Sequence, residues 1–270
     1  MVPRHPPAPA ERNPMTALVI IPTYDEAANL AWIVERVLSA QPQLHVLVAD
    51  DGSPDGTGDI ADALAAADER VHVLHRVSKQ GLGSAYRAGF AWGLERGYDT
   101  LLEMDADGSH RPEDLAQILA ASATGADLVL GSRWVPGGGV VNWPWHRRLI
   151  SRGGTLYARL LLGLDVKDAT GGFRAFRRET LERLPLEQVA SQGYCFQIDM
   201  TRRVAAAGMD VVEVPITFVE RERGESKMSG AIVREALWRV TVWGAARLVP
   251  RRLRKGPQPE PESLASRPGA

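Results

Sequence analysis

The sequence predicts an α/β protein: one domain on a mainly parallel sheet with helices on both faces. Two observations carry this. Short apolar runs alternate five times with segments of helical spacing, the pattern of βαβ units. Each polar motif in the first half of the chain also directly follows an apolar run, so the motifs gather at the carboxyl edge of the sheet, where ligands bind in open α/β folds.

Residues 17–21 are a buried first strand ended by Pro22, and Thr23-Tyr24-Asp25-Glu26 forms the turn. Residues 29–38 carry Leu30, Ile33, Val34 and Val37 at helical spacing. The second strand, 45–49, ends in Asp50-Asp51-Gly52-Ser53-Pro54-Asp55-Gly56. A helix marked by Ile60, Ala61 and Leu64 leads to the third strand, 71–74, and Lys79-Gln80-Gly81-Leu82-Gly83-Ser84-Ala85 opens the next helix. The fourth strand, 101–104, runs into Asp105-Ala106-Asp107, and the fifth, 128–130, ends at Gly131-Ser132-Arg133.

Beyond Arg133 the pattern changes. Residues 137–139, all glycine, read as a flexible link, and Asn142-Trp143-Pro144-Trp145-His146-Arg147-Arg148 is aromatic and basic. Residues 151–162 look helical, 170–176 form a turn entering a short strand, and 211–219 read as one longer strand. A last helix spans about 231–248, with Leu237, Val240 and Trp243 among Arg234, Arg239 and Arg247. Packing against the sheet is the commoner fate of such a helix, and lying on a membrane surface is the alternative.

The totals narrow the class. A net charge of -1 argues neither for nor against nucleic acid, so any anion site must be built from local basic residues. The one cysteine, Cys195, excludes an internal disulfide, suits a reducing cytosol and reads as core. No run approaches the ~20 apolar residues of a membrane span, and the N-terminus does not read as a signal peptide. Residues 1–14 and 250–270 are Pro-rich and are expected to be disordered tails around a domain at 15–249.

Asp105 and Asp107 point the same way if strand geometry continues, so both can grip one hard cation. Alone, Asp-x-Asp reads as an acidic turn before a helix; the other motifs on the same rim shift that reading. Mg²⁺ takes one or two carboxylates plus phosphate oxygens, and it inverts a local charge that would otherwise repel a diphosphate. Glu26 and Asp51 suit hydrogen bonds from a base or ribose, and Lys79 with the Gly81/Gly83 turn suits phosphate. Arg133, Arg147, Arg221 and Lys227 supply positive charge, with the arginines near Trp143 and Trp145 open to cation–π stacking.

Ile21-Pro22-Thr23-Tyr24-Asp25-Glu26, Ala49-Asp50-Asp51-Gly52-Ser53, the Lys79–Ala85 stretch and Met104-Asp105-Ala106-Asp107 together resemble family 2 glycosyltransferases of GT-A fold. Gly131-Ser132-Arg133, residues 142–151, Gly171-Gly172-Phe173-Arg174 and Arg223-Gly224-Glu225-Ser226-Lys227 resemble the dolichol-phosphate and polyprenol-phosphate mannose synthases, actinobacterial members above all. The resemblance implies GDP-mannose as donor, a polyprenyl phosphate as acceptor and Mg²⁺ or Mn²⁺. It implies a nucleotide-sugar and metal half at 15–136 and an acceptor half at 137–249. Pro22, Tyr24, Glu26 and Asp51 would hold the guanosine half, with Lys79 beside them. Asp105, Ala106 and Asp107 would meet the metal and diphosphate, and Arg221 and Lys227 would clamp phosphates. Arg133, Arg147 and Ser151 would receive the lipid phosphate, which makes Asp107 and Arg133 the expected catalytic pair. Ser109 stands where some relatives carry Gln, leaving a third metal ligand open.

The expected location is the cytoplasm, peripheral to the inner face of the cell membrane, through the last helix, the basic tail or a partner membrane protein, and no nucleic acid is expected. UDP-glucose as donor and a non-catalytic nucleotide-sugar-binding module remain as rivals. A nicotinamide dehydrogenase is disfavoured, because the first turn lacks Gly-x-Gly-x-x-Gly.

Overall fold

Apolar residues on alternating positions of each strand force both faces of the sheet to be covered. The computed structural model describes residues 16–189, 191, 193–221 and 230–248. Strands β1 (Ala17–Thr23), β2 (His45–Asp50), β3 (Val71–His75), β4 (Thr100–Glu103), β5 (Leu128–Ser132), β7 (Arg174–Arg177) and β8 (Val211–Pro215) form one sheet in the order β3-β2-β1-β4-β7-β5-β8. On β1, Leu18 and Ile20 face one core, whereas Val19 and Ile21 face the other.

Helices α1 (Leu30–Ala40), α2 (Thr57–Ala67) and α4 (Leu115–Ala123) cover the second face. The first face is covered by α3 (Leu82–Glu95) and α7 (Gly193–Ala206), with α5 (Trp145–Leu162) and α8 (Gly230–Leu248) beyond. The short α6 (Arg178–Arg183) follows β7. Cys195 is buried, as expected.

The sheet departs from the sequence reading in one way that matters for the site. The short strand after the Gly171-Gly172 turn, β7, inserts between β4 and β5 and pairs antiparallel to both. Its first residue, Arg174, therefore lies at the rim where the parallel strands end, opposite Glu103 and Leu130.

Three local expectations are corrected. Residues 211–219 are two strands, because Pro215 has no N–H for the ladder; the chain leaves the sheet there and β9 (Thr217–Val219) pairs with β6 (Gly139–Val141) in a separate ribbon. The three glycines are no loose link: a Cβ on Gly138 would lie 2.5 Å from the Ser132 carbonyl oxygen, and Gly139 begins β6. The helix expected at 151–162 starts at Trp145, directly after Pro144, so Arg147 and Ser151 stand one turn apart on α5.

No described helix is long and apolar enough to cross a membrane. The last helix packs on α5, with Tyr157 Oη 2.6 Å from Thr241 Oγ1, and on α7, with Arg202 over Trp243. Trp238 on α8 and Trp145, Leu149, Ile150 and Leu160 on α5 are exposed. The tails at 1–14 and 250–270 lie outside the described residues.

Gly83, read from sequence as part of a phosphate-facing turn, is set by packing. A Cβ there would sit 2.6 Å from the Ser191 carbonyl oxygen and 2.8 Å from Phe196 Cδ2. Gly→Ala within a helix is usually stabilising by up to about 1 kcal/mol, whereas overpacking costs about 1–3 kcal/mol. Overpacking should win, so Gly83→Ala should lower the urea midpoint with unchanged slope; an equal or higher midpoint would refute this.

Candidate active site

The turn after β2 shows how the sequence divides its polar residues between structure and site. The Asp50 carboxylate accepts from Thr23 Oγ1 (2.9 Å) and Ser53 N (3.0 Å). The Asp25, Glu26 and Ala27 N–H groups donate to Ser53, Thr57 and Asp55. This lacing fixes the exit of β1, where Asp25 takes a left-handed φ of 54°. Of the two adjacent carboxylates, Asp51 and not Asp50 lines a cavity of about 310 Å³ at the carboxyl rim. Arg76 pairs with Asp51 and donates to Ser84 Oγ at 2.6 Å, bracing that carboxylate from behind. Burial still lifts the Asp51 carboxyl, against the Arg76 charge.

The same cavity is lined by Pro22, Tyr24, Glu26, Lys79, Asp105, Ala106, Asp107, Arg133, Arg147 and Arg221. Residues far apart in sequence are thus brought together by strand ends meeting at one edge. Ser151 does not line it, being one helical turn beyond Arg147. Lys227 lies outside the described residues. Lys79 Nζ sits 3.9 Å over the Tyr24 ring, so the flat wall and the charge come as a unit.

The two central carboxylates differ in their surroundings. Asp107 Oδ1 accepts from Ser109 N (3.0 Å) and from the Ser109 hydroxyl, and Oδ2 is 3.3 Å from Arg221 Nη2. Asp105 has the Tyr86 hydroxyl 3.4 Å from Oδ1, and its backbone N–H donates to His110 Nδ1 at 3.1 Å. Burial raises the Asp105 carboxyl; His110 opposes this and Asp107 adds to it. Among the described residues no three His, Cys, Asp or Glu side chains gather closely enough to hold a metal. A cation here would take two carboxylates and complete its shell with phosphate oxygens and water, a donor set that suits Mg²⁺ or Mn²⁺. The Ser109 hydroxyl is turned to Asp107 and is only 2% exposed.

The arginines fall into two kinds. Arg133 and Asp168 form a buried bidentate pair, with Nε and Nη2 at 2.7 and 2.6 Å, and Thr170 accepts a further bond. Burial pushes the Asp168 carboxyl up, but the Arg133 charge and hydrogen bonds more than reverse it, leaving it below the usual carboxylate range. Arg147 instead pairs with Glu220 near the surface and stacks 4.4 Å over Trp143. The stacking of Arg147 on Trp143 is as expected; Arg133, distant in sequence, also lies 5.4 Å over that ring. Trp145 does not share that role: it is 75% exposed and packs edge-on to His146.

Asp168, His110, Arg76, Gln197 and Glu220 were missed from sequence. None lies in a spacing that marks chemistry, although Asp168 precedes the noted Thr170-Gly171-Gly172 turn.

The match to the glycosyl transferase family 2 model spans residues 18–184, and the chain belongs to that family. It is 60% identical over 234 residues to polyprenol monophosphomannose synthase of Mycolicibacterium smegmatis, covering 86% of this chain and 88% of the relative. It is also 60% identical over 232 residues to undecaprenyl-phosphate mannosyltransferase of Micrococcus luteus, covering 86% and 95%. Dolichol-phosphate mannosyltransferase of Pyrococcus furiosus is 39% identical over 236 residues, covering 85% of this chain and 64% of that longer protein. Among solved structures, glucosyl-3-phosphoglycerate synthase from Mycobacterium tuberculosis with Mn²⁺, uridine diphosphate and glucosyl-3-phosphoglycerate superposes with a TM-score of 0.61 at 20% identity, over 86% and 80% of the two chains. That likeness shows the fold.

Two outcomes test the electrostatics. Asp168→Asn leaves the Arg133 guanidinium buried without its anion, which should cost about 3–5 kcal/mol in urea unfolding at pH 7; a cost below about 1 kcal/mol would show that the pair is not needed. Glu103, buried opposite Arg174, has its carboxyl lifted to about 8 by burial, with Arg174 pulling it down. The folded protein then keeps a proton that the unfolded chain releases near 4.5, so stability should fall as pH rises from about 4.5 to about 8. Glu103→Gln should flatten that decline, measured as unfolding free energy from pH 5 to 8; an unchanged slope would contradict it.

Proposed function

We propose that the chain transfers mannose from GDP-mannose to a polyprenyl phosphate, giving polyprenyl β-mannosyl phosphate and GDP. One observation carries the reading: Asp105 and Asp107 share a rim cavity with Arg133, Arg147 and Arg221, so carboxylates for a cation and cations for phosphates face the same space. The names of the relatives that are 60% identical supply the sugar and the acceptor class. The structure's own contribution is a cavity in which two phosphorylated molecules can be brought together.

In this reading Pro22, Tyr24, Glu26 and Asp51 hold the guanosine end, with Lys79 over Tyr24. Asp105 and Asp107 hold Mg²⁺ or Mn²⁺, which when bound offsets the charge of the diphosphate leaving group. Arg221, close to Asp107, and Lys227 neutralise the diphosphate. Arg147 and Ser151 present one face of α5 to the lipid phosphate, and Arg133 provides a fixed positive wall. A phosphate monoester has a second pKa of about 6, so at neutral pH it attacks without a protein base. Its oxygen bonds to C1 of mannose, the bond from C1 to the GDP oxygen breaks, GDP leaves with the electron pair, and the anomeric configuration inverts. The chain's work is positioning and charge neutralisation.

The exposed apolar residues of α5 lie beside exposed Arg148 and Arg152, which supports a lipid surface next to the acceptor site at the inner face of the membrane.

The test is radiolabelled GDP-mannose with a short polyprenyl phosphate, with and without Mg²⁺, and with UDP-glucose as a competing donor. An acid-labile mannosyl lipid should form only with metal, and Asp107→Ala should lower turnover roughly 100-fold or more. Equal product in chelator, or preference for UDP-glucose, would overturn the assignment.

A further inference from the structure

Trp32, on α1, meets the loop that carries Asp105 and Asp107 from outside the cavity. A Cβ on Gly108 would lie 2.7 Å from Trp32 Cζ3 and 2.8 Å from Cη2, so the far edge of the indole rests on the backbone between Asp107 and Ser109. Gly108 takes a left-handed φ of 75°, and a residue without a Cβ is the freest to leave its conformation. Trp32 is 43% exposed and does not line the cavity. Its ring is held by Arg36, one helical turn on, whose guanidinium stacks 4.7 Å from the ring centroid. Arg36 Nη2 also donates to Glu113 Oε1 at 2.6 Å, in the short helical turn Pro112–Asp114 that follows the loop. Two side chains of α1 thus grip the loop at Gly108 and just beyond its end.

We propose that Trp32 is a positioning residue for Asp107: the indole pins the glycine turn beside this carboxylate, and Arg36 fixes the indole. This rests on the reading of Asp105 and Asp107 as ligands of a divalent cation. A single exposed apolar residue ordinarily needs no explanation. What singles out Trp32 is its contact with a left-handed glycine inside the carboxylate loop. Asp107 Oδ1 accepts from the Ser109 N–H and hydroxyl, so local bonds set how the carboxylate is turned. They do not set where the turn stands relative to Asp105, because both partners lie within the turn itself. A site with only two carboxylates depends on that spacing, and groups behind the ligands govern it. The ring supplies a fixed stop from a helix anchored in the core through Leu30, Ile33, Val34 and Val37.

Mn²⁺ titration with saturating GDP, read by electron paramagnetic resonance of the free ion below every melting transition, tests this. The proteins are wild type, Trp32→Ala, Trp32→Leu, Arg36→Ala and the double variant Trp32→Ala/Arg36→Ala. Both Trp32 variants should bind Mn²⁺ more weakly by on the order of 10-fold, since neither side chain reaches Gly108. Arg36→Ala should lose less. The double variant should bind no more weakly than Trp32→Ala, because Arg36 acts through the ring. A purely structural Trp32 would lower the melting temperature and leave Mn²⁺ affinity within about twofold of wild type; that result would overturn the proposal. So would additive losses in the double variant, or failure of both Trp32 variants to fold. Wild type that binds no Mn²⁺ with GDP would instead refute the cation reading on which the proposal rests.

Discussion

The buried guanidinium of Arg174 fixes the geometry of the site. It donates to the Gly171 and Ala169 carbonyls, to the Gln197 carbonyl and to Thr201 Oγ1, all within 2.9 Å. Burial pushes its pKa down to about 10, with Glu103 and Asp168 holding it up, so it stays charged at neutral pH. A charge in that position is tolerable only when most of its donors are met. Meeting them ties the 168–172 loop to α7, and that loop carries Asp168 on one side and the open face of Gly172 on the other. Arg174 also heads the one antiparallel strand within the sheet, so the insertion of β7 delivers the loop to the rim.

This arrangement places an inner layer of ionisable groups behind the one that lines the cavity. Glu103, Asp168 and Arg174 are shielded completely, whereas Asp105, Asp107 and Arg221 border the cavity. In the inner layer Asp168 is paired with Arg133, and burial holds the proton on Glu103. The outer carboxylates are not balanced so closely. Asp105 is raised by burial and by its neighbour Asp107, and an added cation relieves both effects.

Local chemistry explains what could be read in advance. Asp51 and Arg133 directly follow a buried strand and Glu26 and Asp105 come within three residues of one, and a parallel strand's end can be found from hydrophobic pattern alone. Which of Asp50 and Asp51 faces the cavity was legible only through the family likeness, since the two are adjacent and equally polar. The antiparallel β7 was not legible, because four residues of mixed polarity, Arg174-Ala175-Phe176-Arg177, carry no direction. Asp168 owes its role to its partner Arg133, which is a tertiary fact. Gly83 misled for the opposite reason: a glycine near a helix start reads as a phosphate turn, but here neighbouring atoms leave no room for a side chain.

Magnitudes separate the two arginines that lie over the Trp143 ring. The Arg133–Asp168 pair is 4% and 0% exposed in its side chains, and separating such a pair strands a buried charge at a cost of about 3–5 kcal/mol. The Arg147–Glu220 pair is 22% and 27% exposed, where ion pairs contribute only about 0–1 kcal/mol. A phosphate dianion offers more charge and more acceptor oxygens than the Glu220 carboxylate, so in the proposed reaction it can take Arg147 from Glu220 at little expense. It cannot take Arg133 from Asp168 on the same terms. Of the two arginines over the Trp143 ring, Arg147 is therefore the one whose ion pair is cheap to exchange, and Arg133 the one whose pair is not.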